Sequence, residues 1–193
     1  DTIRVHPIIT KGGDVVNAVP ADVRLETFVR GKTAEAIMDA NAKVDRGLKA
    51  GALAIGAKVR ITTLPGYMPM MSHPELWDVY RPNAVALVSE EQIGHLGHLT
   101  GSSDMGDITQ IMPAIHPYAG GVSGASHGSD FLILDYEKAV INPAKALAMT
   151  VIDLLADGAG KAKEILARCK PPMTKTQYLA FLDSLIKEEE FQG

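Results

Sequence analysis

The chain opens on a period of two. Ile3, Val5 and Ile9 alternate with Arg4, His6 and Thr10, interrupted by Pro7, which predicts a strand. Gly12-Gly13-Asp14 marks a turn. A second alternation follows Pro20, with Val23, Leu25, Thr27 and Val29 on one face and Arg24, Glu26, Phe28 and Arg30 on the other. The period then changes to that of a helix. Ile37, Ala40, Val44 and Leu48 form an apolar stripe behind Thr33, a good N-cap, and Gly56 closes it. Val59, Ile61 and Thr63 alternate against Lys58, Arg60 and Thr62, a third strand. Strand, strand, helix, strand is most of a split βαβ sandwich, short of its opening strand and helix. A sheet truncated in this way leaves an unpaired edge.

Leu64-Pro65-Gly66-Tyr67-Met68-Pro69 breaks both periodicities and sets the expected boundary between residues 1–65 and 66–193. The run Met68-Pro69-Met70-Met71 is expected to pack as linker. Past it, a helical segment opened by Pro74 is predicted to be interrupted near Pro82, and the apolar run Ile111 to Tyr118 predicts a strand between two Gly-rich loops. Asn142-Pro143 matches an N-cap followed by proline at the first helical position, with Gly158 as the stop and Ala146, Leu147, Val151, Leu154 and Leu155 as the apolar face. Pro171-Pro172 breaks the chain, and Thr174-Lys175-Thr176-Gln177 has the form of a capping box. The last helix carries Tyr178, Leu182, Leu185 and Ile186 and is expected to fray into Glu188-Glu189-Glu190 as a solvated end.

Composition narrows the function classes. With 193 residues, 46% hydrophobic and 22% charged, the chain buries a real core and is not a disordered tail. A net charge of −4 with no basic run argues against nucleic acid as a partner. The sequence shows no apolar run of transmembrane length, so no membrane partner is expected. The single cysteine, Cys169, fits a reducing compartment, and the first residues lack the pattern of a signal peptide; a cytoplasmic location is the expectation. The chain starts without Met, which fits a piece of something longer.

Chemistry concentrates in two polar loops. Gly101-Ser102-Ser103-Asp104-Met105-Gly106-Asp107 carries two carboxylates and two hydroxyls, and Gly124-Ala125-Ser126-His127-Gly128-Ser129-Asp130 surrounds a histidine with small residues that let backbone approach a ligand. A neutral imidazole is the commonest metal ligand and is oriented by a neighbouring carboxylate, a role open to Asp104, Asp107 and Asp130. On spacing alone, His127 could equally be a loop histidine bonded to backbone. His95 and His98 are spaced like ligands on one helix face, but Leu96-Gly97 favours a surface loop there. His6 is a strand-face residue, and His116, before Pro117, either ends a buried strand or lines a cleft.

Together these motifs resemble the C-terminal part of the dinuclear-metal amidohydrolase family that includes aminoacylases, carboxypeptidase G and aminobenzoyl-glutamate hydrolase. The matching segments are Gly101 to Asp107, the apolar run Ile111 to Tyr118, the loop Gly124 to His127, and Pro143-Ala144-Lys145-Ala146-Leu147-Ala148. At the front, Arg4-Val5-His6-Pro7-Ile8-Ile9-Thr10-Lys11-Gly12-Gly13 resembles a lid-domain strand, and Val16-Asn17-Ala18-Val19-Pro20 an Asn-x-(Ile/Val)-Pro motif of that family. The resemblance implies an α/β protein: a partial ferredoxin-like lid and dimerisation domain, then the C-terminal part of a metallohydrolase catalytic domain with a terminal helical extension. It implies His127 as a metal ligand, Asp104 and Asp107 as groups behind the ligands, and two divalent ions, zinc or manganese, per intact site. Asn17 and Arg30 are implied to hold a substrate carboxylate, with His116 a further substrate-binding candidate; guanidinium suits that task by bidentate geometry. Without the resemblance, Asn17 could be a turn residue and Arg30 could pair with Glu26.

The family's upstream His-x-Asp pair and catalytic Glu-Glu pair are missing, and Glu90-Glu91 does not occupy that position. No catalytic residue is therefore assigned. The expectation is a homodimeric metallohydrolase that cleaves N-acyl amino acids, dipeptides or aminobenzoyl-glutamate-type amides bearing a free carboxylate, inactive as this chain alone. The alternative is a non-catalytic carboxylate-binding or dimerisation remnant. A regulatory amino-acid-binding module ranks last, because it leaves the Asp and His loops unexplained.

Overall fold

The structure, a computed structural model, describes residues 2–94, 97 and 101–193. In chain order the elements are β1 (Arg4–Lys11), β2 (Arg24–Arg30), α1 (Ala34–Ile55), β3 (Lys58–Thr63), α2 (Pro74–Val88), α3 (Met105–Thr109), β4 (Val122–Ser123), β5 (Leu132–Ile133), α4 (Asn142–Arg168), α5 (Lys175–Leu185) and β6 (Lys187–Gln192). Mixed helix and small antiparallel sheets make this an α/β chain. The strands form three two-stranded ribbons: β1–β2, β3–β6 and β4–β5. Contacts divide the described residues into two units, one of 2–70, 101–107 and 175–193, the other of 71–94, 97 and 108–174.

In the first unit the alternating segments become β1 and β2, antiparallel with Val5 opposite Val29, Pro7 opposite Thr27 and Ile9 opposite Leu25. Proline is tolerated because a two-stranded ribbon has only edges. α1 begins and ends as its sequence predicts. The Thr33 side chain accepts the Ala36 N–H, and Gly56 takes the left-handed conformation (φ 64°) that closes the helix at little steric cost. The predicted stripe faces inward, with Ala40 buried and Ile37, Val44 and Leu48 half-buried. Gly31, between β2 and α1, lets the Ile3 and Ile37 side chains close over it; a Cβ there would meet Ile3 Cδ1 at 2.6 Å.

Two expectations fail in this unit. β3 is not hydrogen-bonded to β1 or β2 but pairs along its whole length with β6, from Lys58 opposite Gln192 to Thr63 opposite Lys187. The Glu188–Glu190 run is accordingly a strand and not a frayed helix end. The cause is charge: Lys58 and Arg60 of β3 and Lys49 of α1 supply the cations that the acidic run meets.

The second unit is built on α2 against α4. Tyr80, Ala84 and Ala146 form its core, with Trp77, Leu87, Ile93 and Ile115 packed around them. Asn83 crosses between the helices, its amide donating to the Asp153 carboxylate (2.6 Å) and the Thr150 hydroxyl (3.4 Å). α2 starts at Pro74 but is not interrupted at Pro82, which lies inside it. Proline removes one helical donor, and the Asn83 amide also donates back to the Val79 carbonyl, tying that turn together.

Residues Ile111 to Tyr118 are not a strand. Pro113 and Pro117 lack the N–H groups a ladder needs, and the Ala114 carbonyl instead accepts the His73 N–H. α4 differs at both ends. Asn142 has helical backbone angles and is not the cap; a wide π turn, Glu137–Ile141, runs straight into the helix, and Asp135 accepts the Lys138 N–H. Pro143 cannot donate to the preceding turn, and the i to i−5 bond from the Asn142 N–H to the Glu137 carbonyl accommodates the mismatch. At the predicted stop, Ala156 to Ala159 leave helical geometry, with Gly158 left-handed, before the helix resumes to Arg168. The helical stretch Glu137–Arg168 is long and apolar enough to cross a membrane by length and composition, which the sequence pattern does not suggest; the break at Ala156 to Ala159 and the Asn83 network divide it.

Candidate functional site

His127 sits at the tip of the β4–β5 hairpin, which pairs Val122 with Ile133 and Ser123 with Leu132. The loop folds tightly on itself. The Gly128 N–H donates to the Ala125 carbonyl (2.8 Å) and the Phe131 N–H to the Gly128 carbonyl (3.2 Å). Gly124 is left-handed (φ 85°), and a Cβ there would lie 2.2 Å from the Asp130 carbonyl oxygen. At Gly128 a Cβ would lie 2.4 Å from Asp130 Oδ1. These glycines let the chain wrap closely around Asp130, and His127 itself has φ 65°. A left-handed non-glycine residue costs about 1–2 kcal/mol and persists where the surroundings over-determine it. The imidazole is exposed. His116 belongs to the same unit; its ring is half-buried and tilted 30° against Tyr118 at 5.2 Å.

The loop Gly101 to Asp107 belongs to the other unit. Gly106 is buried where a Cβ would lie 1.8 Å from the Met68 carbonyl oxygen, so any larger residue expels the strand of linker beside it. Asp107 accepts the Met68 N–H at 2.9 Å and a hydrogen bond from Tyr178 of α5. Burial, followed by that bond to the Asp107 carboxylate, pushes the Tyr178 phenol up to about 12. Met68 is itself buried, as a packing role for the linker requires. Asp104 is exposed and accepts from the Ser103 hydroxyl.

Arg30 closes β2 directly opposite Arg4. Its guanidinium lies 5.2 Å over the Phe28 ring, and its Nε is buried with no hydrogen-bond partner among the described residues. Two arginines facing each other across a ladder repel unless an anion joins them, and a buried unpaired N–H is costly. Asn17 is exposed in the turn where the Ala18 N–H donates to the Val15 carbonyl. Arg4 opposite Arg30 was predictable from the hairpin register; Tyr178 against Asp107 was not, because no local pattern links α5 to that loop.

Asn17, Arg30, Asp104 and Asp107 thus lie in one unit and His116 and His127 in the other. His95 and His98 lie outside the described residues. Among the described residues no group of three or more His, Cys, Asp or Glu side chains is placed to hold a metal ion.

The chain is similar to two mammalian dipeptidases. It is 29% identical over 164 residues to the human protein named Xaa-Arg dipeptidase and 30% identical over 182 residues to the mouse protein of that name. These alignments take in 80% and 88% of this chain but 37% and 41% of the relatives, so the chain spans well under half of their length. The likeness supports a relationship to the amidohydrolases and peptidases without fixing a subfamily. No protein-family profile matches the chain.

Proposed function

We propose that this chain is the C-terminal portion of a metal-dependent amidohydrolase or dipeptidase that acts on small peptides, or on N-acyl amino acids, bearing a free carboxylate. The observation that carries this reading is the similarity to the two Xaa-Arg dipeptidases over most of the chain. In the proposal residues 1–65 serve as a partial lid and dimerisation domain, and residues 66–193 belong to the catalytic domain with its terminal helical extension. Arg30, with a buried unpaired Nε and Arg4 across the ladder, is the carboxylate anchor, assisted by Asn17. His116 lines the substrate site. His127, left-handed at its hairpin tip, is one ligand of a zinc or manganese pair, and Asp104 and Asp107 are supporting carboxylates of the intact protein's site. The described residues do not by themselves fit a resident metal ion, so the remaining ligands and the catalytic base are assigned to polypeptide equivalent to the rest of the relatives.

The absence of the family's upstream His-x-Asp and Glu-Glu pairs from this sequence favours a second reading, a carboxylate-binding or dimerisation remnant with no chemistry of its own. One experiment separates them. The full product of the gene, supplied with zinc or manganese, is assayed for release of amino acids from dipeptides and N-acyl amino acids, beside this polypeptide alone. The proposal expects turnover by the former and none by the latter. It also expects Arg30→Ala to raise KM for carboxylate substrates more than for their amides. Turnover by the isolated chain defeats its incompleteness, and silence of both leaves the remnant.

A further inference from the structure

The ribbon β3–β6 carries a device that the proposed chemistry does not use. Its inner side places Val59, Ile61 and Thr63 of β3 opposite Phe191, Glu189 and Lys187 of β6. Ile61 is buried, so the residue that faces it on a permanent strand is expected to be apolar. Glu189 stands there instead, ion-paired with Lys187 and hydrogen-bonded to Lys49 of α1. On the outer side Glu190 pairs with Lys58 and Arg60, and Glu188 lies 3.7 Å from Arg60. Asp45 of α1 also acts on Lys187. Apart from the ladder itself, the far end is tied by the Gly193 N–H to the Ala57 carbonyl (3.0 Å). The near end joins α5 through Ile186 alone, an exposed residue.

We propose that β6 is a displaceable strap, clasped onto β3 by charge and released without unfolding of α1 or of β1–β2. Inward-pointing charges on edge strands oppose permanent pairing. Here the inward Glu189 keeps the strap's apolar contact to Phe191, while the grip comes from ion pairs that are partly solvent-exposed and therefore screened by salt.

Hydrogen exchange resolved by residue tests this in the chain as it stands. Raising salt from about 0.1 M to about 1 M shortens the Debye length from about 10 Å to about 3 Å. The strap model expects β3 and β6 amides to exchange about tenfold faster while α1 and β1–β2 amides keep their rates. Glu189→Gln should produce the same loosening at low salt. Glu189→Ile, which matches Ile61, should blunt the salt response. Acceleration of α1 together with β6 would make β6 an integral strand and overturn the proposal, as would β6 rates indifferent to salt. An unaltered salt response in Glu189→Ile would remove Glu189 as the release element.

Discussion

β1–β2 and β3–β6 are both two-stranded antiparallel ribbons in one unit, yet they are held by different forces. β1–β2 joins neighbours in sequence. Its ladder is mostly apolar along one side, its faces are largely exposed, and its ion pairs, Asp22 with Lys11 and Arg24, sit at the end closed by the connecting loop. β3–β6 joins the middle of the chain to its end, buries Ile61 and is laced by ion pairs on both faces. A local ribbon needs little beyond its own alternation, because closing a short loop costs little entropy. A long-range ribbon must be selected from many alternative partners, and complementary charge supplies that selection.

Truncating one apolar side chain in each ribbon separates the two most forcefully. Ile61 is 9% exposed and Ile9 68%. Ile61→Ala is expected to destabilise the first unit by about 2–5 kcal/mol, the range for buried Ile to Ala changes. Ile9→Ala should stay within about 0.5 kcal/mol, as for surface positions. Denaturant unfolding of both variants reads the difference. Equal losses would mean that the exposed face of β1–β2 is buried in the working molecule, for example against a second copy as the proposed homodimer requires.

That same contrast explains what the sequence made legible. Elements whose causes are local could be read: the alternation of β1 and β2, the Thr33 cap and the left-handed Gly56 of α1, Pro74 at the head of α2. Elements whose causes are distant could not. Glu188-Glu189-Glu190 has the same composition as a solvated helix end, and only Lys49, Lys58 and Arg60, far back in the chain, make it a strand. At α4 the Asn142-Pro143 signal was genuine chemistry misplaced by one turn, because Pro143 could be absorbed by a π turn capped from Asp135. The candidate site divides in the same way. Gly124 and Gly128 announce a tight loop around His127, but its left-handed backbone depends on Asp130 filling the space beneath them. Asp107 was visible as a carboxylate in a polar loop; that it holds the Met68 N–H and Tyr178 was not.

The two ribbons also differ, by a smaller amount, in acid. Lys187 and Lys49, in that order, hold the Glu189 carboxyl at about 2, against an ordinary 4.5, and Lys58 with Arg60 lower Glu190. A carboxylate whose folded value is depressed contributes stability that is complete above its ordinary value and is lost as pH falls through the folded one. β6 should therefore loosen from about 4.5 downward and finish near 2. In β1–β2 the corresponding group is Asp22, lowered from 3.8 by Arg24 first and then Lys11. Its protonation loosens the loop end of the ribbon but leaves the ladder from Arg4 to Ile9, in which Glu26 is the lone acid, in place. Amide exchange protection followed from neutral pH to about pH 2 should thus fall along the whole of β6 but only near Lys11 and Arg24 in the other ribbon. If β6 held its protection through that range while its glutamates titrated, its ladder and the Phe191 contact would be sufficient on their own. Charge would then select the pairing of β3 with β6 without holding it.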